Sequence, residues 1–244
     1  MRLGSIRAVA AWLAIAAAIA SAWGCSGNTA SASDTASERA EARVFAGSVN
    51  LSARDLPGFK VVIEAAGRPS PLSRSIEKCD GGPIVDEADR GIASPLLQKQ
   101  RVPVETVASE VFRMHGSSIA RDYINAADSS RGLACIQRAE LQKRASLPPG
   151  VRGKIEASAL RGPLGGAAVS GVRVWNCLAD DQSCNSSQSR TFADRLWFAS
   201  GPYVVVLFYV AGVRNGAGTG APEALPVERR SVALLYSRAR AHQP

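Results

Sequence analysis

The chain predicts an α+β fold in which an antiparallel β-sheet is flanked by helices, an α/β/α sandwich. Three observations carry that prediction. The last third holds four strand-like segments in succession, Lys154–Leu160, Ala168–Leu178, Arg190–Ala199 and Tyr203–Ala211, joined by turn residues. The last of these has no polar face, and a continuously apolar strand is one covered on both sides. Helical segments near Pro71, near Ser117 and over Ala221–Arg240 can supply the two covering layers.

The chain opens with a short basic start carrying Arg2 and Arg7, then an apolar run from Ala8 to Ala22. That run falls short of the roughly eighteen residues expected of a spanning helix, and it lacks a stop-transfer flank. It reads as the hydrophobic region of a cleaved signal, with Cys25 at the cleavage point, the layout of a bacterial lipoprotein. The usual Leu three residues before the cysteine is Ala22 here, and Gly24 fits the pattern. An uncleaved anchor and ordinary signal cleavage are the alternatives. The division that follows is 1–24 signal peptide, 25–43 lipidated Cys25 with a flexible tether, and 44–244 a single extracytoplasmic domain. The tether is inferred because residues 26–43 contain no large apolar side chain.

Within the domain, Val44 to Leu51 has strand-like composition and Asp55-Leu-Pro-Gly-Phe59 is a turn. Lys60 to Ala65 is a short extended segment. Residues 67–103 are rich in Pro and Gly, with a helix expected from Pro71 to Lys78. Thr106 to His115 alternates, with Ala108, Phe112 and Met114 on one side and Val111, Arg113 and His115 on the other. Ser117-Ser118 is placed to cap a helix through Ile119, Tyr123 and Ala127. Gly132 interrupts that helix at a cost of about 1 kcal/mol against Ala, so it either kinks or restarts at Ser130. Pro148-Pro149-Gly150 ends it. Ser200-Gly201-Pro202 joins the last two strands as a hairpin.

Composition bounds the function. The formal net charge is +8, from 29 basic and 21 acidic residues; loss of Arg2 and Arg7 with the signal leaves +6. No dense Lys/Arg tract interleaves with aromatics, which argues against nucleic-acid binding. The scattered arginines reflect either general composition or attraction to anionic envelope polymers and lipid heads. With Cys25 taken by the anchor, Cys79, Cys135, Cys177 and Cys184 form an even set in an exported chain, read as disulfides. Four cysteines allow three pairings, and the sequence does not choose among them. A local Cys177–Cys184 bridge around Leu178–Ser183 leaves Cys79 for Cys135; free buried thiols are the alternative.

No catalytic constellation is visible. His242 lies at the end of the chain and His115 at a strand terminus; there is no Gly-x-Ser-x-Gly and no histidine pair at ligand spacing. Gly212–Ala221 follows a strand and precedes a helix, as a phosphate-binding loop does. Its glycine spacing and the antiparallel setting speak for a mobile loop instead. Asp86-Glu-Ala-Asp89 is a helicase box by letters only. Asp180-Asp181 is too small a set for a calcium ion, which wants six or more oxygens. Trp175 and Trp197, near Arg173 and Arg195, are assigned to packing, with a stacking groove as the alternative. No catalytic, metal or cofactor residue is assigned, and the chain reads as a non-enzyme, monomeric.

The opening strand with Asp55-Leu-Pro-Gly-Phe59, the central helix ending in Cys135, and the Tyr203–Ala211 strand with its C-terminal helix resemble one known family. It is that of the actinobacterial LpqN-like lipoproteins, in the PsbP-like group that also holds the extracellular sensor domain of the kinase PknH. The resemblance spans roughly residues 44–240. It implies a sheet covered by helices, two disulfides, and a groove for an envelope lipid or glycan. The expected product is a sensor-like binding domain, held at the cell membrane by its N-terminal lipid and facing outward. An envelope-acting hydrolase or transferase using carboxylates, or a structural accessory of a membrane complex, is the alternative.

Overall fold

The computed structural model describes residues 36–64, 91–99, 104–145, 155–177, 190–212 and 226–242. Its first element is a helix, α1 (Ala36–Val49). Val44 to Leu51 is therefore not a strand, and residues 36–43 are helical where a flexible tether was expected. Two causes combine. Ala, Glu and Arg dominate the segment and are strong helix formers. Ala42, Phe45, Ala46 and Val49, spaced for one helical face, are all buried. A two-residue periodicity here would have turned half of that set to water.

The chain then turns through residues 53–58, where Gly58 takes φ +86°, and enters β1 (Lys60–Ile63). β2 (Ile92–Ala93) and β3 (Leu96–Lys99) are two short strands within the Pro- and Gly-rich segment 67–103, where no strand was expected. β4 (Glu105–Arg113) follows, and the expected alternation holds. Val107 and Val111 enter one apolar cluster, Phe112 and Met114 the other. Both faces of this strand are covered. The helix expected over Pro71–Lys78 lies outside the described residues.

Two helices cross the sheet next, α2 (Ser117–Asp128) and α3 (Ser130–Ala145). Ser117 and Ser118 do not cap α2; the N-cap is Gly116, without a side-chain hydrogen bond. The restart at Ser130 is observed. Ser129 Oγ accepts from the Gly132 amide at 3.0 Å and donates to the Ala126 carbonyl at 2.6 Å, so one hydroxyl ends α2 and starts α3. A Cβ on Gly132 would lie 2.3 Å from the Ala126 oxygen and 2.7 Å from that of Ala127. The glycine is what lets the helices turn so tightly.

The four late strands are β5 (Ile155–Leu164), β6 (Ala167–Cys177), β7 (Arg190–Ser200) and β8 (Tyr203–Gly212), and α4 (Pro226–Ala241) closes the fold. Gly165 and Gly166, both at positive φ, form the two-residue β5–β6 turn, and Gly201 at φ +58° serves β7–β8. Among the described residues the sheet has eight strands in the order β1-β3-β4-β8-β7-β6-β5, with β2 on β4, and every pairing is antiparallel. β8 lies between β4 and β7, the interior place its apolar sequence calls for.

One face packs under α1 and α4 through Phe45, Val49, Val205, Leu207, Val232 and Leu235. The opposite face packs under α2 and α3 through Tyr123, Ile136, Val172, Trp197 and Val206. The molecule is the expected α/β/α sandwich.

Candidate functional site

The densest grouping of ionisable side chains among the described residues crosses the sheet beneath α4. Arg173 on β6 pairs in register with Asp194 on β7, and Asp194 with Tyr209 on β8. All three share the face of Phe192 and Leu207, because side chains two residues apart along a strand point the same way. Arg173 Nε donates to Asp194 Oδ1 at 2.7 Å, and its Nη2 makes a second, short bond to Oδ2. Glu228, in the first turn of α4, brings Oε2 to 3.7 Å from the same Nη2. A carboxylate in that turn is also favoured by the helix dipole. The guanidinium carbon sits 4.6 Å from the centre of the Phe192 ring.

Beside this group, Tyr209 Oη donates to Glu105 Oε1 at 2.7 Å, and Lys99 Nζ lies 3.0 Å from Glu105 Oε2. The side chains of Arg173, Asp194 and Glu228 are 2%, 0% and 1% exposed, so the group is sealed. Burial by itself would lower the Arg173 pKa. The hydrogen bonds and charge of Asp194, with the charge of Glu228, outweigh it and hold the guanidinium above its ordinary value. Burial, then the hydrogen bond and charge of Glu105, push the Tyr209 hydroxyl far above its usual range. Neither group exchanges a proton near neutral pH.

A second polar assembly ties the Asp55-Leu-Pro-Gly-Phe59 turn to the fold. Arg238 of α4 donates to the Asn50 carbonyl at 3.1 Å, to Asp55 Oδ2 at 3.0 Å, and through a short bond to Asp55 Oδ1. The Ser52 amide reaches Asp55 Oδ2 at 2.7 Å, while Ser109 Oγ donates to Asn50 Oδ1 at 2.9 Å. Leu56 and Phe59 fill the core beneath. On the opposite face Trp197 is buried and donates from Nε1 to Asp128 Oδ1 at 2.9 Å, fastening α2 to β7.

Of the residues singled out from sequence, Arg173 belongs to the first group and Asp55 to the second. His115 and His242 are exposed. Cys135 lies in α3 and is disulfide-bonded. Cys177 ends β6; Cys25, Cys79 and Cys184 lie outside the described residues, as do Asp86–Asp89, Asp180-Asp181 and the loop after Gly212. Among the described residues no three metal-ligating side chains gather, and no helix is long and apolar enough to cross a membrane. The sequence reading did not assemble the Arg173–Asp194–Glu228 group. Val172 and Val174 turn to the α2–α3 face, so Arg173 between them reads as the wetted side of an alternating strand, and the helix that covers it is remote in sequence.

No family model and no curated protein matches this chain. Among solved structures, it is similar to the extracellular domain of PknH from Mycobacterium tuberculosis. The match covers 82% of this chain and 91% of that one, with 9% sequence identity and a TM-score of 0.39.

Proposed function

We propose that this chain is a cell-envelope lipoprotein whose folded part binds a ligand or partner and catalyses no reaction. The anchor reading is supported by the order of basic start, apolar run, Cys25 and small polar residues. The non-catalytic reading rests chiefly on the sealing of Arg173, Asp194 and Glu228: the ionisable groups that do gather pair by charge out of solvent. A catalytic acid or base has to reach its substrate and titrate near the working pH. The ligand class put forward is an envelope lipid or glycan, held in a groove between sheet and helices, with a Cys79–Cys135 disulfide bracing the central helix.

Two experiments test this. Fractionation and acyl labelling of the wild type and Cys25→Ser address the anchor. The wild type is expected in the membrane fraction carrying label, and the variant free of label; a label-free wild type removes the anchor. Thermal-shift measurements against envelope lipids and glycans address binding, because a ligand held by the native state alone raises the melting point. Turnover of any of these compounds by the purified protein would defeat the non-catalytic reading.

A further inference from the structure

The outer surface of the α1–α4 layer carries five exposed cations on its described residues. Arg39 and Arg43 of α1 and Arg229, Arg230 and Arg240 of α4 are exposed. Glu41 is the one exposed acid on the described parts of these two helices. The remaining acids there are engaged: Glu38 with Arg113 at 3.1 Å, and Glu228 in the buried group. The two helices lie on the same sheet face and share one apolar cluster, so their outward sides belong to a single layer. Val44 projects from α1 at 71% exposure, more than any other large apolar residue among those described.

Position and charge agree. Only residues 26–35 separate Cys25 from the first turn of α1, at most about 35 Å of fully extended chain. Every exposed cation on α1 therefore lies within reach of a surface to which Cys25 is joined. Arginines close to an anchor are drawn to acidic headgroups, and an acyl anchor combined with basic residues holds far better than either alone.

We infer that the α1–α4 face, through Arg39, Arg43, Arg229, Arg230 and Arg240 with Val44 among them, docks on an anionic phospholipid bilayer. This inference rests on the anchor reading for its setting, although not for its measurement. Docking would orient the domain with the α2–α3 layer turned away from the membrane.

The test takes the full chain as the host processes it, wild type and Cys25→Ser. Each is co-sedimented with phosphatidylcholine vesicles with and without phosphatidylglycerol. The Cys25→Ser product is expected to bind only the anionic vesicles, and to be released by salt. Adding Arg43→Glu with Arg230→Glu should lower the bound fraction at least about tenfold, each cation near such a surface being worth roughly fivefold. Arg121→Glu with Arg138→Glu, on exposed positions of the α2–α3 layer, should change nothing. Arg43→Gln with Arg230→Gln, checked by circular dichroism, guards against loss of fold and should give a smaller drop in the same direction. Equal losses from the two layers, no dependence on phosphatidylglycerol, or retention on a soluble acidic polysaccharide alone would overturn the inference. A wild-type product lacking acyl mass would remove the anchor reading, while the Cys25→Ser vesicle result would still decide the docking surface.

Discussion

Replacing Arg173 by Met is the sharpest test of how this fold holds its charges. The guanidinium makes a bidentate contact with Asp194 and approaches Glu228 to 3.7 Å, and all three side chains are at most 2% exposed. Methionine fills much of the same volume and supplies no donor. Two buried carboxylates would then face each other without the guanidinium they share. Breaking a buried pair in this way costs about 3–5 kcal/mol. For a domain of about two hundred residues that corresponds to a melting point lower by about 10 °C. The assay is urea and thermal unfolding of the oxidised protein. Circular dichroism reports the secondary structure, and tryptophan fluorescence the tertiary packing. The decisive companion is the triple variant Arg173→Met, Asp194→Leu, Glu228→Leu, which removes the buried charges together and should recover to within about 2 kcal/mol of wild type. A single variant within about 1 kcal/mol of wild type, or a triple variant no better than the single, would refute the reasoning.

Three further outcomes follow from the same structure. Gly132→Ala should destabilise by about 2 kcal/mol in urea melts. Helix propensity alone would credit it with about 1 kcal/mol of stability, but the new Cβ collides with the Ala126 and Ala127 carbonyls. Asp55→Asn should cost about 1–2 kcal/mol at neutral pH and flatten the acid limb of the stability profile. Burial alone would raise the Asp55 pKa, but hydrogen bonds from Arg238 and Ser52 and the Arg238 charge hold it below the ordinary carboxylate value. Its contribution is therefore complete above about pH 4 and fades as the pH falls through the depressed native value. Tyr209→Phe should cost about 1–2 kcal/mol by leaving Glu105 Oε1 without its donor. Because the native Tyr209 pKa is raised, this residue stabilises the fold below about pH 10 and loses that effect as alkali ionises the unfolded chain. Spectrophotometric titration should show Tyr209 ionising only together with unfolding.

The parts of the fold that were legible in the sequence are long or carry explicit punctuation. Tyr203–Ala211 announced an interior strand because nine apolar residues in a row leave no side for water. The α2–α3 break was visible in Gly132, and the β7–β8 hairpin in Ser200-Gly201-Pro202. Short elements were not legible: β2 and β3 have two and four residues, too few for any periodicity to show. α1 was misread because Val44, Phe45, Val49 and Leu51 favour strands individually. The i, i+3, i+4, i+7 spacing of Ala42, Phe45, Ala46 and Val49 carried the helical signal, and the small alanines obscured it.

By itself the amino-acid order determined the class of fold, the interior place of β8, and the candidate export signal at Cys25. Each is a local property: a hydrophobic pattern or a short run of residue types declares itself without knowing its neighbours. Only the tertiary structure decided that Arg173, Asp194 and Glu228 meet, and that Arg238 holds the Asp55 turn. It also brought the arginines of α1 and α4, nearly two hundred positions apart, onto one layer. Those contacts arise when antiparallel pairing sets β6, β7 and β8 in register and the sheet gathers the first and last helices onto one face. Sequence distance carries no record of such a meeting.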